Sequence, residues 1–486
     1  MKISNVLLLL LVCLPVFGQD RPPPIDREFR AVWIATVDNI DFPTKRTLTI
    51  DEQKAELIAS LELAKKLRLN AVVFQVRPMC DAVYKSRIEP WSEFLTGQMG
   101  KGQDFDPLEF IVAEAHRRGI LVHAWFNPYR AYHPSAKTVS ANHISKRRPD
   151  LVRSYGRYLW LDPTDEEVKR YSISVVADVV RRYDIDGVHF DDYFYPYPEK
   201  DAAGNRIEFP DHKNWEAYRR NARQSAPLTR DDWRRRHVDD FIESVGREIK
   251  RIKPHVVYGI SPFGIWKPVP ERGITGFNQF AELYADARKW LQDGTVDYFT
   301  PQLYWETARA GQSFPVLLDW WREQNVKRRH IWPGLASYRI GSTATFTVDE
   351  IARQIESTRT DPLTRGAVHF SFKSLRNDLG GIQNKLISSV YSTDAVVPAF
   401  SWIKTRPPGR PHVTVSRNTM LVRASWLPGP GSRPFWYVVY ARDRDGWSRT
   451  VLPAAQHWIS LSADRRIDQL LVTGVDRLGS ESLPGR

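Results

Sequence analysis

Short apolar runs alternate with amphipathic segments over most of the chain. The apolar runs are rich in β-branched and aromatic residues and predict buried strands at residues 31–37, 71–76, 120–126, 188–190, 256–261, 296–304, 331–337 and 367–372. The segments between them have apolar residues at helical spacing and predict helices at residues 51–69, 107–118, 165–183, 231–252, 280–291, 314–324, 348–358 and 379–390. Strands that are apolar throughout and alternate with helices are typical of a parallel sheet buried on both faces. We therefore expect a (β/α)8 TIM barrel over residues 27–392.

The pattern changes after residue 392. Residues 393–411 include the run Thr405-Arg-Pro-Pro-Gly-Arg-Pro411 and are interpreted as a linker. Residues 412–486 contain short alternating runs separated by turn residues, which predict a small all-β sandwich. Within it, residues 436–440 and 472–480 resemble a fibronectin type III domain.

The start of the chain has the features of a targeting segment. Residues 1–18 combine a positive residue, Lys2, with an apolar run and a small final residue, which predicts a signal peptide. We therefore expect an exported protein, either periplasmic or extracellular, and association with the cell envelope stays open. Val12 stands where a lipobox before Cys13 needs a small residue, so lipidation is not favoured. The apolar run is shorter than the roughly 20 residues of a membrane-spanning helix, and we expect no stable membrane span. Cleavage would leave Cys80 without a disulfide partner.

Charge and aromatic content narrow the class of partner. The formal net charge is +13 with a pI of about 9.6, but the Lys and Arg residues are scattered and no nucleic-acid motif is present. The chain has 17 Trp, 19 Tyr and 22 Phe, many of them at predicted strand ends, where exposed rings can stack on sugar faces. For an exported basic protein we therefore expect a cell-wall glycan or another polysaccharide as partner, and no nucleic acid.

Polar and aromatic side chains follow most of the predicted strands. The carboxyl ends of the strands in a TIM barrel form one face, so we expect these side chains to meet there. The candidate substrate-binding residues are Asp41, Gln75, Arg77, Trp125, Asn127, Arg130, His189, Gln302, Tyr304 and Trp305. Amides and Arg can bond sugar hydroxyl or N-acetyl groups, and rings can stack on a pyranose. Two long connections, residues 131–158 and 195–229, follow strands and belong to the same face.

The fourth strand ends in two adjacent carboxylates. An Asp-Asp pair on its own more often caps a turn, but its place after a buried barrel strand favours catalysis. Glycoside hydrolysis requires one protonated and one ionised carboxyl group. Asp191 shares the inward register with His189 and is the predicted nucleophile or electrostatic stabiliser, while Asp192 is predicted to orient it or to bind substrate. The partner acid is either Asp192 or Glu306, which follows strand six.

Other chemistries have less support in the sequence. His123, His189 and His369 with Asp191 could supply zinc ligands, but no HxH or HExxH spacing is present, and we expect neither a metal nor a cofactor. A GxSxG elbow, a P-loop and a dinucleotide-binding glycine motif are also missing. Two alternative functions stay open: a non-catalytic glycan-binding barrel and a deacetylase acting on the same polymer.

Five ordered motifs resemble the glycosyl hydrolase-like family 10 proteins, at residues 27–43, 74–78, 123–130, 186–196 and 300–305. That family includes the bacterial denuded-glycan hydrolase of peptidoglycan. The resemblance covers residues 27–390 and implies an exported TIM-barrel glycosidase that cuts peptidoglycan glycan strands lacking stem peptides. Members are often lipoproteins, and the weak lipobox departs from that pattern. The strand-four motif also resembles α-amylase-like barrels, whose nucleophilic Asp would match Asp191, whereas the acid of chitinase-like barrels would fall on Tyr193.

Overall fold

The computed structural model describes residues 22–221 and 228–485. The predicted signal peptide, residues 1–18, lies outside the described residues. Within the described ranges, no helix is both long enough and apolar enough to cross a membrane.

Eight parallel strand positions form the main sheet. They are Phe29–Ile34 (β1), Ala71–Arg77 (β2), Leu121–Phe126 (β3), Gly187–Phe190 (β4), Val257–Ile260 (β5), Tyr298–Phe299 (β6), His330–Ile331 together with Gly334–Leu335 (β7), and Gly366–His369 (β8). The seventh position is split at Pro333, which has no N–H to donate to the ladder. Its first piece pairs with β6, its second pairs with β8, and β8 pairs with β1, so the sheet closes on itself. The predicted TIM-barrel architecture is confirmed.

Helices follow the strands and cover the outside of the barrel. The principal ones are Ile50–Lys66 (α1), Pro107–Arg117 (α2), Glu166–Arg182 (α3), Arg230–Ile252 (α4), Ala287–Asp293 (α5), Phe314–Gln324 (α6), Val348–Thr358 (α7), Phe372–Arg376 (α8) and Ile382–Lys385 (α9). The sequence marks their starts: Thr49 and Glu52 form a capping box at α1. The prediction of one helix over residues 280–291 is wrong. A short helix, Gln279–Glu282, ends before Tyr284, whose φ of 51° cannot continue a right-handed helix, and α5 starts afresh from the Asp286 cap.

A chain of buried polar groups fills the middle of the barrel. Gly259 makes room for it, since a Cβ there would lie 2.0 Å from a ring carbon of Tyr298. The indole N–H of Trp33 donates to Nε2 of His189 (3.2 Å), so neutral His189 carries its proton on Nδ1, which lies 2.9 Å from the Tyr298 hydroxyl. That hydroxyl then donates to Nδ1 of His123 (2.7 Å). Burial lowers the pKa of His123 to about 4 and that of His189 well below its usual range, so both are neutral core residues.

The two long connections lie over the carboxyl end of the barrel. The first contains a three-stranded antiparallel sheet of Arg130–Tyr132, Val152–Tyr155 and Tyr158–Leu161, and the second contains the helix His212–Asn221. The indole N–H of Trp160 donates to the carbonyl oxygen of Phe194 (2.9 Å), which ties the first connection to the second.

The C-terminal part is an all-β sandwich, as predicted. Its strands are Gly409–Arg417 (β9), Leu421–Gly429 (β10), Trp436–Asp443 (β11), Gly446–Pro453 (β12), Trp458–Ser462 (β13) and Gln469–Val475 (β14). They form two three-stranded antiparallel sheets, in the orders β9-β10-β13 and β12-β11-β14, around an apolar core that includes Trp426 and Val439. The assignment to the fibronectin type III class and the predicted domain boundaries stay predictions.

This sandwich and the segment before it cover the amino end of the barrel. Within the predicted linker, Ala395–Val396 pairs with the short strand Asp26–Arg27. The Trp436 indole N–H donates to the carbonyl oxygen of Gly119 (2.8 Å). Arg477 lies 3.2 Å from Asp186 in the loop before β4. The carboxyl end is therefore the end that stays accessible to a ligand.

Candidate active site

A cavity of about 320 Å³ lies at the carboxyl end of the barrel strands. Six of the predicted site residues line it: Gln75, Trp125, Arg130, Asp191, Gln302 and Tyr304. They come from β2, from β3 and from the segments after β3, β4 and β6, so the ends of strands that are distant in the sequence meet in one site.

Asp191 is the carboxylate that lines this cavity. It directly follows β4 and is buried, with 5% of the residue's surface exposed. Its Oδ2 atom accepts hydrogen bonds from the Trp125 indole (3.2 Å) and the Asn127 amide (2.5 Å), whereas Oδ1 has no hydrogen-bond partner among the described residues. Burial and the neighbouring charge of Asp192 raise the pKa of Asp191 to about 7, although Arg130 and the two N–H donors oppose the shift. Asp191 can therefore hold a proton near neutral pH.

Asp192 lies beside this group but does not line the cavity. It is buried, and its Oδ2 accepts a hydrogen bond from the Tyr197 hydroxyl. Burial raises the pKa of Asp192 to about 6, while Tyr197 and the Gln302 side chain favour its charged form. Of the two carboxyl groups, Asp191 therefore takes the proton first. The adjacent acids have different environments, as an acid and an ionised partner require.

Asn127 connects Asp191 to the neighbouring strands. Its amide nitrogen donates to Asp191, and its Oδ1 atom accepts from the Gln75 amide (2.7 Å) and from the Arg130 guanidinium (2.8 Å). Asn127 is fully buried and does not line the cavity. The structure therefore places it behind Asp191.

Two further candidates are in buried networks away from the cavity lining. Arg77 pairs with Glu89 (2.6 Å) and donates to the carbonyl oxygens of Asn127 and Pro128 (both 2.8 Å), so it supports the loop after β3. Asp41 accepts from the backbone N–H groups of Ala35 (2.8 Å) and Lys373 (2.6 Å), which joins the ends of β1 and β8. Burial raises the pKa of Asp41 to about 6.

The structure does not bring the remaining three candidates to the cavity. Glu306 accepts from the hydroxyl groups of Thr343 (3.2 Å) and Thr345 (3.3 Å), and its other oxygen lies 3.9 Å from Arg339. Trp305 packs edge-on against Phe263, with ring centroids 5.7 Å apart. His189 belongs to the polar chain inside the barrel described above.

Several residues that line the cavity are missing from the predicted set. They are mainly aromatic: Trp33, His133, Tyr193 and Phe370. Burial and the nearby Arg130 lower the pKa of His133 to about 4, so its ring is neutral. Trp33 could have been found from the sequence, because Trp33, Ala35 and Val37 are alternate residues of the apolar run 31–37, which is predicted as a strand, and all three line the cavity. In the structure only Trp33 lies on β1, and the other two follow it. His133 and Tyr193 lie on loops, whose course the strand pattern does not predict.

The histidines considered as zinc ligands are not gathered around Asp191. His123 and His189 share the Tyr298 hydroxyl, and His369 lies 2.8 Å from the Ser337 hydroxyl. Within residues 22–221 and 228–485, no group of three or more His, Cys, Asp or Glu side chains could hold a metal ion.

A larger cavity of about 710 Å³ lies elsewhere, between α4, α5 and residues 402–404. Its charged groups are largely paired with one another: Lys250 lies 2.7 Å from Asp297, and Lys289 pairs with Asp293. The smaller cavity is the better active-site candidate, because it contains a desolvated carboxyl group, Asp191, one oxygen of which accepts no hydrogen bond from the described part of the chain.

Comparisons with known proteins identify the family of this chain. Residues 28–350 match the family described as Glycosyl hydrolase-like 10. The chain is 38% identical over 481 residues to the glycosyl hydrolase YngK of Bacillus subtilis, covering 94% of this chain and 92% of that protein. It is 33% identical over 384 residues to the glycosyl hydrolase DigH of Escherichia coli, covering 72% of this chain and 85% of that protein. The PgaB glycoside hydrolase domain from Bordetella bronchiseptica aligns with a TM-score of 0.48 at 15% identity, over 75% of this chain and 98% of that one. The match to the family over residues 28–350 and the identity with YngK show that the chain belongs to the glycosyl hydrolase-like 10 family.

Proposed function

We propose that this protein is an exported glycoside hydrolase that cleaves glycan strands of the cell wall. We assign Asp191 the role of proton donor, in place of the nucleophile or electrostatic stabiliser predicted from its strand register, because its pKa of about 7 lets it hold a proton near neutral pH. The observation that carries the proposal is the environment of Asp191. Its carboxyl group lines the cavity, one oxygen accepts from two N–H donors, and the other has no hydrogen-bond partner in residues 22–221 and 228–485. Membership of a glycosyl hydrolase-like family supports the reaction class.

The two carboxyl groups divide the chemistry between them. Oδ2 of Asp191 is occupied by N–H donors, so the proton of neutral Asp191 sits on Oδ1. Asp191 passes this proton to the glycosidic oxygen as the bond from that oxygen to the anomeric carbon breaks. Asp192, ionised and held by Tyr197, lies beside Asp191 but outside the cavity lining, so its negative charge favours the positive charge that develops on the sugar without contacting it. Water then adds to the anomeric carbon, and the proton that it releases restores the one-proton state of the pair.

The lining of the cavity supports a sugar as substrate. Trp33, Trp125, Tyr304 and Phe370 offer ring faces or edges, and Gln302 offers an amide. Such a combination of apolar walls and few polar groups is typical of sites that bind small units of a larger molecule. We infer an N-acetylamino-sugar polymer, with peptidoglycan glycan free of stem peptides as the preferred form. Removing the peptides leaves lactyl carboxylates on that polymer, and the net charge of +13 favours an anionic partner.

Two other functions remain to be separated by experiment. A non-catalytic glycan-binding protein would use the same cavity without turnover. A deacetylase on the same polymer would release acetate, and its usual metal site has no counterpart among the described side chains.

The test uses purified glycan strands from which an amidase has removed the peptides. The wild-type protein, Asp191→Asn and Asp104→Asn are incubated with the strands, and soluble fragments, new reducing ends, acetate and bound protein are measured. Asp104 is fully exposed on a surface loop and serves as the matched control. We expect fragments and reducing ends from the wild type and from Asp104→Asn, and binding without cleavage by Asp191→Asn. Binding without cleavage by the wild type would establish the glycan-binding alternative, and acetate without fragments would establish the deacetylase.

A further inference from the structure

The side-chain amide of Gln75 has a single possible orientation. Its Oε1 atom accepts hydrogen bonds from the backbone N–H groups of Thr36 and Val37 (both 2.8 Å). A backbone N–H can only donate, so the atom that faces these two groups must be the amide oxygen. The Gln75 nitrogen therefore points to Asn127, whose Oδ1 atom is 2.7 Å away. Gln75 is fully buried and comes from β2, next to the strand that precedes Asn127.

The orientation of Asn127 follows from that of Gln75. Oδ1 of Asn127 faces two donors, the Gln75 amide and the Arg130 guanidinium (2.8 Å). If the Asn127 amide were turned over, its NH2 group would oppose both of them. Its nitrogen must therefore face Asp191, to which it donates at 2.5 Å. The two backbone N–H groups after β1 thus decide, through two amides, which atom is presented to Asp191.

We propose that Gln75 is a positioning residue that acts through Asn127 to make the two oxygens of Asp191 different. Oδ2 is kept as an acceptor of two N–H groups, and Oδ1 is left as the oxygen that carries and transfers the proton. This assigns to Gln75 a role other than binding substrate. The reacting atom follows from the proposed glycosidase function, whereas the amide orientation and the inequality of the two oxygens do not depend on it.

The effect of Gln75 and Asn127 on Asp191, called the relay below, adds to that of the charged and titratable groups around Asp191. Asp192 disfavours the charged form of Asp191, whereas Arg130 favours it. The hydroxyl groups of Tyr193, Tyr197 and Tyr304 also face the pair of acids from the loops after β4 and β6. Against these fixed groups, the Asn127 N–H stabilises ionised Asp191. A weaker or misdirected Asn127 donor will therefore let Asp191 keep its proton to a higher pH.

A neutron diffraction structure of the wild-type protein near pH 6 tests the orientation without any substitution. We expect deuterium on Oδ1 of Asp191, on the Asn127 nitrogen toward Oδ2, and on the Gln75 nitrogen toward Asn127. Deuterium on Oδ2 of Asp191, or an Asn127 oxygen facing Asp191, would overturn the proposal.

A titration tests the role of Gln75 in solution. Gln75→Met keeps the length of the side chain but removes its amide. The titration midpoint of the Asp191 carboxyl group is followed by its infrared band, which is assigned by its disappearance when Asp191→Asn is added. We expect the midpoint to move upward by about half a unit to one unit, a threefold to tenfold change in the proton equilibrium, because Arg130 alone then holds Asn127. The matched control is Asn70→Met, which removes another buried amide bonded to backbone groups immediately before β2. This control should leave the midpoint unchanged.

The outcomes separate the relay from the proposed function. An unchanged midpoint in folded Gln75→Met would show that Gln75 does not position Asp191. Equal shifts of the midpoint in Gln75→Met and Asn70→Met would show that the loss of any buried amide near β2 changes the titration of Asp191. That result would also overturn the proposal. A shift confined to Gln75→Met, in a protein that releases no glycan fragments, would leave the relay standing while the glycosidase function fails. If Gln75→Met does not fold, the neutron structure of the wild type decides.

Discussion

Replacing Asp191 with Asn should stabilise the protein at alkaline pH but not at acidic pH. Burial raises the pKa of Asp191 from 3.8 to about 7. The folded protein therefore binds this proton more tightly than the unfolded chain does. Stability from this group is fully present below about pH 4 and is lost as the pH rises to about 7, because ionised Asp191 must be held in a desolvated site. An Asn at this position does not titrate.

The size of the effect follows from the shift. A change from 3.8 to about 7 is roughly three units, and each unit corresponds to about 1.4 kcal/mol, which gives about 4 kcal/mol. Relative to the wild type, Asp191→Asn should gain this amount in free energy of unfolding between about pH 4 and about pH 8. Such a gain on removal of a functional group is what a site that trades stability for activity would show.

Denaturant-induced unfolding at a series of pH values measures this difference. Asp104→Asn is the control, because Asp104 is fully exposed and, among the residues that the structure describes, its carboxylate pairs only with Lys85, at 3.4 Å. Its free energy of unfolding relative to the wild type should stay constant with pH. A difference between Asp191→Asn and the wild type that varies by less than about 1 kcal/mol over this range would refute the desolvated state of Asp191, and with it the reason for assigning it the proton.

Three further predictions concern other parts of the structure. Trp125→Phe removes one N–H donor from Oδ2 of Asp191, so the pH optimum of glycan cleavage, measured as a pH–rate profile, should move to higher pH. An unchanged optimum would mean that this hydrogen bond does not affect the pKa of Asp191. Glu306→Gln should keep kcat/KM for glycan cleavage within about twofold of the wild-type value, because the Glu306 carboxylate accepts hydrogen bonds from loop hydroxyls away from the cavity. A loss of about a hundredfold or more would identify Glu306 as the partner acid. Arg477→Ala leaves the buried carboxylate of Asp186 with one partner fewer, so thermal unfolding should show that the free energy of unfolding falls by about 1–3 kcal/mol, while glycan cleavage is unchanged. An unaltered Tm would show that this contact does not hold the sandwich to the barrel.

The sequence predicts the barrel well because its signal is repeated along the chain. Apolar runs and helical segments alternate, and parallel strands buried on both faces must be apolar throughout. The errors fall where one residue overrides the pattern. Pro301 and Pro333 lack the N–H group that a ladder needs, so β6 ends at Phe299 and β7 is interrupted. The left-handed conformation of Tyr284 divides a predicted helix in the same way.

The candidate site was predictable where it lies on strands and not where it depends on loops or networks. Asp191, Trp125 and Gln75 line the cavity because strand ends converge on one face. Glu306 comes from a segment whose course depends on local turns, and the same is true of His133 in the long connection after β3. A sequence pattern also does not distinguish a side chain that contacts a ligand from one that holds its neighbour. Only the hydrogen bonds in the structure show that Asn127 lies behind Asp191 and supports it.

The most direct test of the account is the pH dependence of glycan cleavage. For the wild type and Asp191→Asn, kcat/KM for the release of reducing ends from peptide-free glycan strands is measured from about pH 4 to about pH 9. With Asp192 ionising near a pKa of about 6 and Asp191 losing its proton near a pKa of about 7, we expect a bell-shaped profile whose limbs lie near these values, and no detectable turnover by Asp191→Asn. Cleavage by Asp191→Asn at the wild-type rate, or a wild-type rate that rises to a plateau above about pH 7, would contradict the assignment of Asp191 as the proton donor.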